Sequence, residues 1–209
     1  MQLTNLERVR KLGGDLLQRP SNIPRYVSQN ILHRRSPIDL ELPWFSYGAI
    51  DFLEAFLRPE MRVFEFGSGG STIFFARRCA SVESVEDDPA WAARVRERMT
   101  RLGLTNVAIT ECPFDFNRPA EFTESPYLAR VRDGSYDVIV VDGADNDYSI
   151  RPRCFEVAED RVNAGGLIVV DDSWRYRQLR ETHRARRFEV FETVGPARYG
   201  VTSTDIYFY

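Results

Sequence analysis

The hydrophobic positions of this chain follow two spacings in turn, which predicts strands and helices along most of its length. Nearly continuous apolar runs, as in "YDVIVVDG" and "GGLIVVDD", are typical of strands covered on both faces. Apolar residues three and four positions apart, as in "SYGAIDFLEAFL", indicate amphipathic helices. Ser46 and the pair Asp88-Pro89 stand where such helices would begin, and these residue types favour helix starts.

Strand and helix segments alternate five times, which predicts an α/β fold with a doubly wound, mostly parallel sheet. The last two strand segments, "FEVFETV" and "TSTDIYFY", are joined by too few residues for a helical crossover, so we expect them to pair antiparallel. The basic segment "WRYRQLRETHRARR" before them is predicted to be a helix. Its arginines would form either a solvated face or a site for an acidic or phosphate-bearing molecule.

The first 43 residues differ from the rest of the chain. They carry one amphipathic segment, "LTNLERVRKLGGDLLQ", followed by a stretch punctuated by prolines. We therefore predict a helical and irregular extension over residues 1–43 and one domain over residues 44–209. The extension would either pack or form a homodimer contact, or serve as a lid or wall of a substrate site.

Composition narrows the class of protein. The chain has 209 residues, 43% of them hydrophobic, which suits one domain with a sizeable core. A net charge of −3 argues against a general nucleic-acid binder. The three cysteines form no C-x-x-C pair, so we expect buried free thiols rather than a zinc site or disulfides. No signal-peptide core and no apolar run of about 18 residues is found, so we expect a cytoplasmic protein without membrane contact.

Candidate chemistry lies at the predicted strand ends, where α/β sheets bind ligands. The segment "RVFEFGSGGST" places Glu65 inside an apolar run and then leaves backbone bare at Gly67, Gly69 and Gly70. Such a turn either lets amides approach a ligand or simply joins strand to helix tightly. Glu86 ends the next strand, where an acid can accept both hydroxyls of a ribose.

The glycine pattern separates two kinds of ribose-bearing ligand. Counted as G-x-G-x-x-G from Gly67, the third glycine position is Thr72, so the dinucleotide fingerprint is incomplete. A ligand with a ribose but without a pyrophosphate fits better, although a nicotinamide dehydrogenase stays an alternative.

In these residues the chain resembles the class I S-adenosylmethionine-dependent methyltransferases. Their motif is an acid two residues before G-x-G, an acid ending the second strand and an Asp ending the fourth; here these are Glu65, Gly67-Ser68-Gly69, Glu86 and Asp142. The resemblance implies a Rossmann-like fold with S-adenosylmethionine as cofactor and Glu65 near its methionine amino group. It assigns the cofactor to these residues: Glu65, Gly67, Ser68, Gly69, Ser71, Glu86, Cys112 (beside the adenine) and Asp142.

The later stretch "VVDGADND…GGLIVVDDSW" resembles the catechol and caffeoyl-CoA O-methyltransferases, which bind a divalent cation with an Asp after the fourth strand and an Asp-Asn pair after the fifth. The matching residues are Asp142, Asp171 and Asp172, which implies Mg²⁺ or a similar hard cation. Such a cation would lower the pKa of an acceptor hydroxyl. The chain departs from the pattern, with Asp172 in place of Asn and Asp145 in place of a lysine base. Alternatively, Asp142 would position cofactor or substrate while the pair caps the next helix.

The expected function is S-adenosylmethionine-dependent O-methylation of a small-molecule acceptor. Asp142 and Asp145 are the candidates for positioning the acceptor or removing its proton. An aminopropyltransferase-like enzyme and a non-catalytic methyltransferase-like binding subunit are the alternatives. Six aromatic residues are expected either to wall the acceptor pocket or to pack in the core: Trp44, Phe45, Tyr47, Tyr148, Trp174 and Tyr176.

Overall fold

A computed structural model describes residues 5–32 and 35–209. Seven strands form one sheet in the order β3-β2-β1-β4-β5-β7-β6. The first five strands are parallel, and β7 pairs antiparallel with both β5 and β6. The predicted doubly wound sheet with an antiparallel end is therefore confirmed. The strands are β1 Arg62–Phe66, β2 Ser81–Glu86, β3 Val107–Glu111, β4 Tyr136–Val141, β5 Val162–Val170, β6 Arg187–Val194 and β7 Val201–Phe208.

Helices flank the sheet and follow the predicted starts. Ser46 accepts a hydrogen bond from the Ala49 amide at the start of α4, and Asp88 accepts from the amides of Ala90 and Trp91 at the start of α6. The α-helices are α1 Asn5–Gln18, α2 Asn22–Tyr26, α3 Pro37–Leu40, α4 Tyr47–Phe56, α5 Gly70–Ala76, α6 Pro89–Leu102, α7 Pro126–Ala129, α8 Ile150–Ala158 and α9 Leu179–Thr182. None of the helices in the described residues is both long and apolar enough to cross a membrane.

The predicted helix in the basic segment before β6 is wrong. The structure has a single 3₁₀ turn, Ser173–Arg175, and the four-residue helix α9. Tertiary pairing competes with helix propensity there, because Arg180 binds the buried Asp205 of β7 (2.7 Å) and Arg184 binds Glu159 after α8 (3.1 Å). Arg180 and Arg184 therefore belong neither to a solvated helix face nor to a ligand site, whereas Arg175 and Arg177 of the same segment line the cleft described below.

Two apolar clusters cover the two faces of the sheet. Along β1, Phe64 and Phe66 belong to one cluster and Val63 to the other, as alternation in a strand requires. The three cysteines are free and buried, as expected from their spacing.

The N-terminal extension packs on the domain at two places. Helix α1 lies against β6 and β7, where Asp15 accepts a hydrogen bond from the Val194 amide (3.0 Å). Asn30 holds the β6–β7 loop, because its side chain donates to the Gly195 carbonyl (3.2 Å) and accepts from the Arg198 amide (2.7 Å). The described part of the extension thus fixes the position of Arg198, whose role is described below.

Candidate active site

The carboxyl ends of β1, β2, β4 and β5 border a cleft of about 1190 Å³. This is where an open α/β sheet binds its ligand. Eight of the sequence-predicted site residues line the cleft: Glu65, Gly67, Ser68, Ser71, Glu86, Asp142, Asp171 and Asp172. Gly69, Cys112 and Asp145 are not among the lining residues.

Two of the glycines after β1, Gly67 and Gly70, are needed for close packing within the chain. Gly67 has φ +93°, and a Cβ there would lie 3.0 Å from the backbone of Gly143, which follows β4. At Gly70 a Cβ would lie 2.2 Å from the carbonyl oxygen of Leu42, in the N-terminal extension. The first glycine thus lets two strand-end loops meet at the cleft, and the third admits the extension.

Glu65 is a buried carboxylate with one unused oxygen. Its exposed fraction is 1%, Oε2 accepts a hydrogen bond from the Ser84 hydroxyl (3.1 Å), and Oε1 has no hydrogen-bond partner among the residues that the structure describes. Burial raises the pKa of Glu65 to about 7, against the lowering effect of neighbouring hydroxyls such as that of Ser71. Because an unpartnered buried carboxylate oxygen is costly, this wall of the cleft suits a ligand that brings a cation or a donor.

Glu86 fastens the glycine-rich loop to the end of β2. Its Oε2 accepts from the amide (2.9 Å) and the hydroxyl (2.7 Å) of Ser68, and its Oε1 accepts from the Asp88 amide (3.1 Å). Burial raises the pKa of Glu86, although the Ser68 hydroxyl acts in the opposite direction. Trp91 completes the arrangement by donating its indole N–H to the Ser68 carbonyl (2.7 Å). The carboxylate lines the cleft with acceptor capacity left, as a ribose contact requires.

Asp142, at the end of β4, is held by a buried arginine from α8. Arg151 pairs with Oδ1 of Asp142 (2.7 Å) and donates to the carbonyls of Gly143 (2.7 Å) and Asp171 (2.9 Å), so that it ties together the ends of β4 and β5. Burial alone would lower the pKa of Arg151, but Asp142 and further negative groups raise it above its usual value. The Asp142 side chain stays 30% exposed. Among the residues predicted to be catalytic, it is the one that faces the cleft.

The side chains of Asp145 and Cys112 take part in hydrogen bonding and packing within the chain. Asp145 accepts a hydrogen bond from the Arg151 amide (3.0 Å) in the first turn of α8. Cys112 packs in the core with Phe116. Since neither side chain lines the cleft, the roles predicted for them, as a base and as an adenine contact, have no geometric support here.

The two aspartates at the end of β5 both pair with Arg198, a residue that the sequence analysis missed. Arg198 pairs with Asp172 (2.8 Å) and Asp171 (3.3 Å) from the β6–β7 loop. Burial raises the pKa of Asp171 to about 7, with Arg198 opposing that effect. Burial would also raise the pKa of Asp172, but Arg198, together with Arg175 and Arg151, lowers it below its usual value. Arg198 stands in the segment "GPARYG", which carries no motif.

These contacts do not fit the divalent cation that the resemblance implied. Asp142 is paired with Arg151, and Asp171 and Asp172 are paired with Arg198. Within the described residues, no three Asp, Glu, His or Cys side chains are arranged so that they could hold a metal ion. A cation would have to displace a buried guanidinium that stays charged, which is costly.

Aromatic side chains and arginines form the rim of the cleft. Three of the predicted aromatics, Trp44, Tyr148 and Trp174, line it and are about half exposed, and Tyr199 joins them. The other predicted aromatics are buried: Phe45, Tyr47 and Tyr176. Of the two alternatives for these residues, the first group therefore fits a pocket wall and the second fits core packing.

Comparisons with known proteins agree with this geometry. The sequence profile of a family described as a methyltransferase domain matches residues 64–173. A comparison with curated protein sequences found no significant match. Among solved structures, the Bacillus cereus O-methyltransferase in complex with SAH has 18% identity and a TM-score of 0.61, with 90% of this chain and 97% of that one covered.

Two further solved structures share the fold with different printed activities. An rRNA methylase from Streptococcus thermophilus has 15% identity and a TM-score of 0.56, covering 76% of this chain and 92% of that one. A precorrin-6y C5,15-methyltransferase from Geobacter metallireducens has 14% identity and the same TM-score, covering 76% and 87%. The match to the family covers more than half of the chain. It includes the ends of β1 and β2, which carry Glu65 and Glu86, and the end of β5. The chain therefore belongs to the methyltransferase-domain family and is a class I S-adenosylmethionine-dependent methyltransferase.

Proposed function

We propose that this protein transfers a methyl group from S-adenosylmethionine to an oxygen of a small-molecule acceptor. The observation that carries the proposal is the cleft itself, which joins the Glu65 and Glu86 carboxylates to the exposed edge of Asp142. Its volume of about 1190 Å³ suits a cofactor together with a small acceptor. The net charge of −3 favours such an acceptor over a nucleic acid.

The residues divide the work between the two ligands. Glu65 would pair with the methionine ammonium through its unused oxygen, and Glu86 would accept the ribose hydroxyls, while Gly67 keeps this wall free of side chains. When bound, S-adenosylmethionine supplies a methyl group that is activated by the positive charge on sulfur. The chain must therefore orient the acceptor oxygen in line with that methyl group and receive the proton that the oxygen loses.

Asp142 is our candidate for receiving that proton. Arg151 occupies Oδ1 (2.7 Å), and the Asp142 side chain, 30% exposed, lines the cleft, so that Oδ2 is the oxygen we assign to the acceptor. The Oδ2 atom would accept the acceptor's proton as the new oxygen–methyl bond forms, and Arg151 would keep the carboxylate in place. No step is assigned to a divalent cation, because the arginine pairing described above does not fit one.

The test has two stages. Calorimetric titration with S-adenosylhomocysteine should show binding. A folded sample without binding would overturn the assignment of the cleft to S-adenosylmethionine. Transfer of labelled methyl groups to a panel of phenols and hydroxy acids should then be detected and should fall at least tenfold in Asp142→Asn. The matched control is Asp133→Asn, whose carboxylate is exposed and pairs with Arg130 away from the cleft. Transfer to RNA instead of the panel would contradict the small-molecule acceptor. In a parallel reaction with decarboxylated S-adenosylmethionine as the donor, a product carrying an aminopropyl group would contradict methylation.

A further inference from the structure

Charge is unevenly distributed along the cleft. The ends of β1 and β2 contribute four acidic and no basic lining residues: Glu65, Glu86, Asp87 and Asp88. Helix α1, the segment after β5 and the β6–β7 loop contribute five basic lining residues: Arg8, Lys11, Arg175, Arg177 and Arg198. Three acidic residues lie among the latter: Asp171, Asp172 and Glu192. The end opposite the cofactor residues therefore carries an excess of positive charge.

Two of the basic residues pair with the three acids of this second end. Arg198 pairs with Asp171 and Asp172, and Lys11 pairs with Glu192. Arg198 thus supplies one positive charge between the two aspartates, at the place where the resemblance implied a divalent cation. With these acids paired, the remaining arginines are available to a ligand.

Arg175 and Arg177 have unused donors. Arg175 forms a long pair with Asp172 (3.7 Å), its side chain is 31% exposed, and its Nε atom has no hydrogen-bond partner among the described residues. The Arg177 side chain is exposed at the cleft and has no ion-pair or hydrogen-bond partner in the part of the chain that the structure describes. Since a guanidinium is matched in shape and charge by a carboxylate, these two residues suit an anionic group.

Two aromatic rings lie beside Arg175. Its guanidinium lies 4.9 Å from the ring of Trp174 and 5.4 Å from that of Tyr148, and both rings are half exposed in the cleft. Trp44 also lines the cleft, with the guanidinium of Arg198 5.5 Å from its ring. A planar molecule can stack among such rings, and its charged group can then reach the arginines.

We propose that the methyl acceptor is a planar anion, an aromatic ring that carries a carboxylate, bound at this end by Arg175 and Arg177 without a divalent cation. This inference rests on the proposed function, because the methylated oxygen belongs to the same molecule. The ring packs among Trp44, Tyr148 and Trp174, and the carboxylate pairs with the accessible ends of the Arg175 and Arg177 guanidinium groups.

Matched probes test the charge preference directly. Protein saturated with S-adenosylhomocysteine is titrated with 4-hydroxybenzoate and 4-hydroxybenzamide, and with 4-hydroxycinnamate and its amide, by quenching of tryptophan fluorescence. Each carboxylate should bind at least tenfold more tightly than its neutral partner, with the same affinity in EDTA and in MgCl₂. The variant Arg175→Gln/Arg177→Gln should lose that difference. The control Arg101→Gln/Arg118→Gln removes two exposed arginines outside the cleft and should keep it.

The outcomes separate this inference from the proposed function. If no carboxylate binds more tightly than its amide, the anionic acceptor is wrong. A gain of tenfold or more in affinity on adding MgCl₂ would show that a cation takes part, and would refute the role given to Arg198. Failure of S-adenosylhomocysteine to bind would overturn the methyltransferase assignment only, because the same probes are then titrated into the cofactor-free protein.

Discussion

Replacing Glu65 by glutamine tests the physical state of the buried carboxylate at the end of β1. Burial raises the pKa of Glu65 from its ordinary 4.5 to about 7. Because the pKa in the folded protein is higher than in the unfolded chain, the folded state prefers the protonated form. The contribution of Glu65 to the free energy of unfolding is complete below about pH 4.5 and is lost as the pH rises through 7. The loss is on the order of 3 kcal/mol.

Glutamine keeps the shape of the side chain and removes this titration. Glu65→Gln should therefore be more stable than the wild type at pH 8, by up to about 3 kcal/mol, and the advantage should shrink toward zero at pH 5. Denaturant unfolding at both pH values measures the difference. The matched control is Glu83→Gln on β2, whose carboxylate pairs with Arg62 (3.2 Å) and lies outside the cleft. A variant destabilised equally at both pH values would refute the reasoning.

The same substitution tests the predicted contact with the methionine ammonium. A cation against Glu65 favours the ionised form, so binding below pH 7 must release the proton that the free carboxyl holds. A group with a pKa of about 7 is roughly nine-tenths protonated at pH 6, which gives a release of about 0.9 proton. Titration with S-adenosylhomocysteine in buffers of different ionisation enthalpy measures that release. Wild-type binding at pH 6 with the same proton count as Glu65→Gln would exclude the contact.

Three further substitutions test the packing at Gly70, the ribose contact of Glu86 and the helix cap at Asp88. Gly70→Ala should destabilise the protein by about 1–3 kcal/mol in denaturant unfolding, because the Cβ would lie 2.2 Å from the Leu42 carbonyl; Gly69→Ala, with its nearest atom at 3.9 Å, should be tolerated. Glu86→Gln should weaken S-adenosylhomocysteine binding 10- to 100-fold by calorimetry, and an unchanged affinity would refute the ribose contact. Asp88→Ala should cost about 1 kcal/mol in thermal unfolding, since it removes the α6 cap, and a loss near zero would contradict that role.

Local signals explain why much of the fold was predictable. Strand β2 ends at Glu86 and α6 begins after Asp88 at Pro89, both as predicted, because alternation and capping act within a few residues. The basic segment before β6 failed for the opposite reason. Its residues favour a helix, but Arg180 instead reaches Asp205, 25 positions further along the chain, and a sequence window does not contain that pairing.

The residues of the candidate site also fall into those with a local sequence signal and those without one. Glu65 and Glu86 were found because they stand at set distances from a glycine-rich turn at strand ends. Arg198 was not, because its approach to Asp171 and Asp172 depends on the antiparallel register that pairs Val194 with Val201 and Val170 with Asp205. The family resemblance of the acidic residues at the strand ends implied a metal, and the arginine that pairs with two of them comes from a loop without a motif.

The contacts proposed for Glu65 and Glu86 predict how their removal changes the kinetics. Methyl transfer removes the positive charge from sulfur, so a carboxylate that stabilised that charge would hold the reactant more tightly than the transition state and slow the reaction. Glu65 and Glu86 are proposed instead to contact the ammonium and the ribose, which keep their charge states throughout. Their removal should therefore raise KM for the cofactor and leave kcat nearly unchanged, which steady-state kinetics at saturating acceptor would show.

Asp142 should show the opposite pattern. The proton that its Oδ2 atom receives moves during the reaction, so Asp142→Asn should lower kcat with little effect on KM for the cofactor. Loss of kcat in Glu86→Gln, or of cofactor affinity alone in Asp142→Asn, would show that the two roles have been assigned to the wrong carboxylates. Since Arg151 pairs with Asp142 at 2.7 Å and also holds the carbonyls of Gly143 and Asp171, Arg151→Lys is expected to reproduce the Asp142→Asn pattern by displacing the carboxylate while leaving it charged.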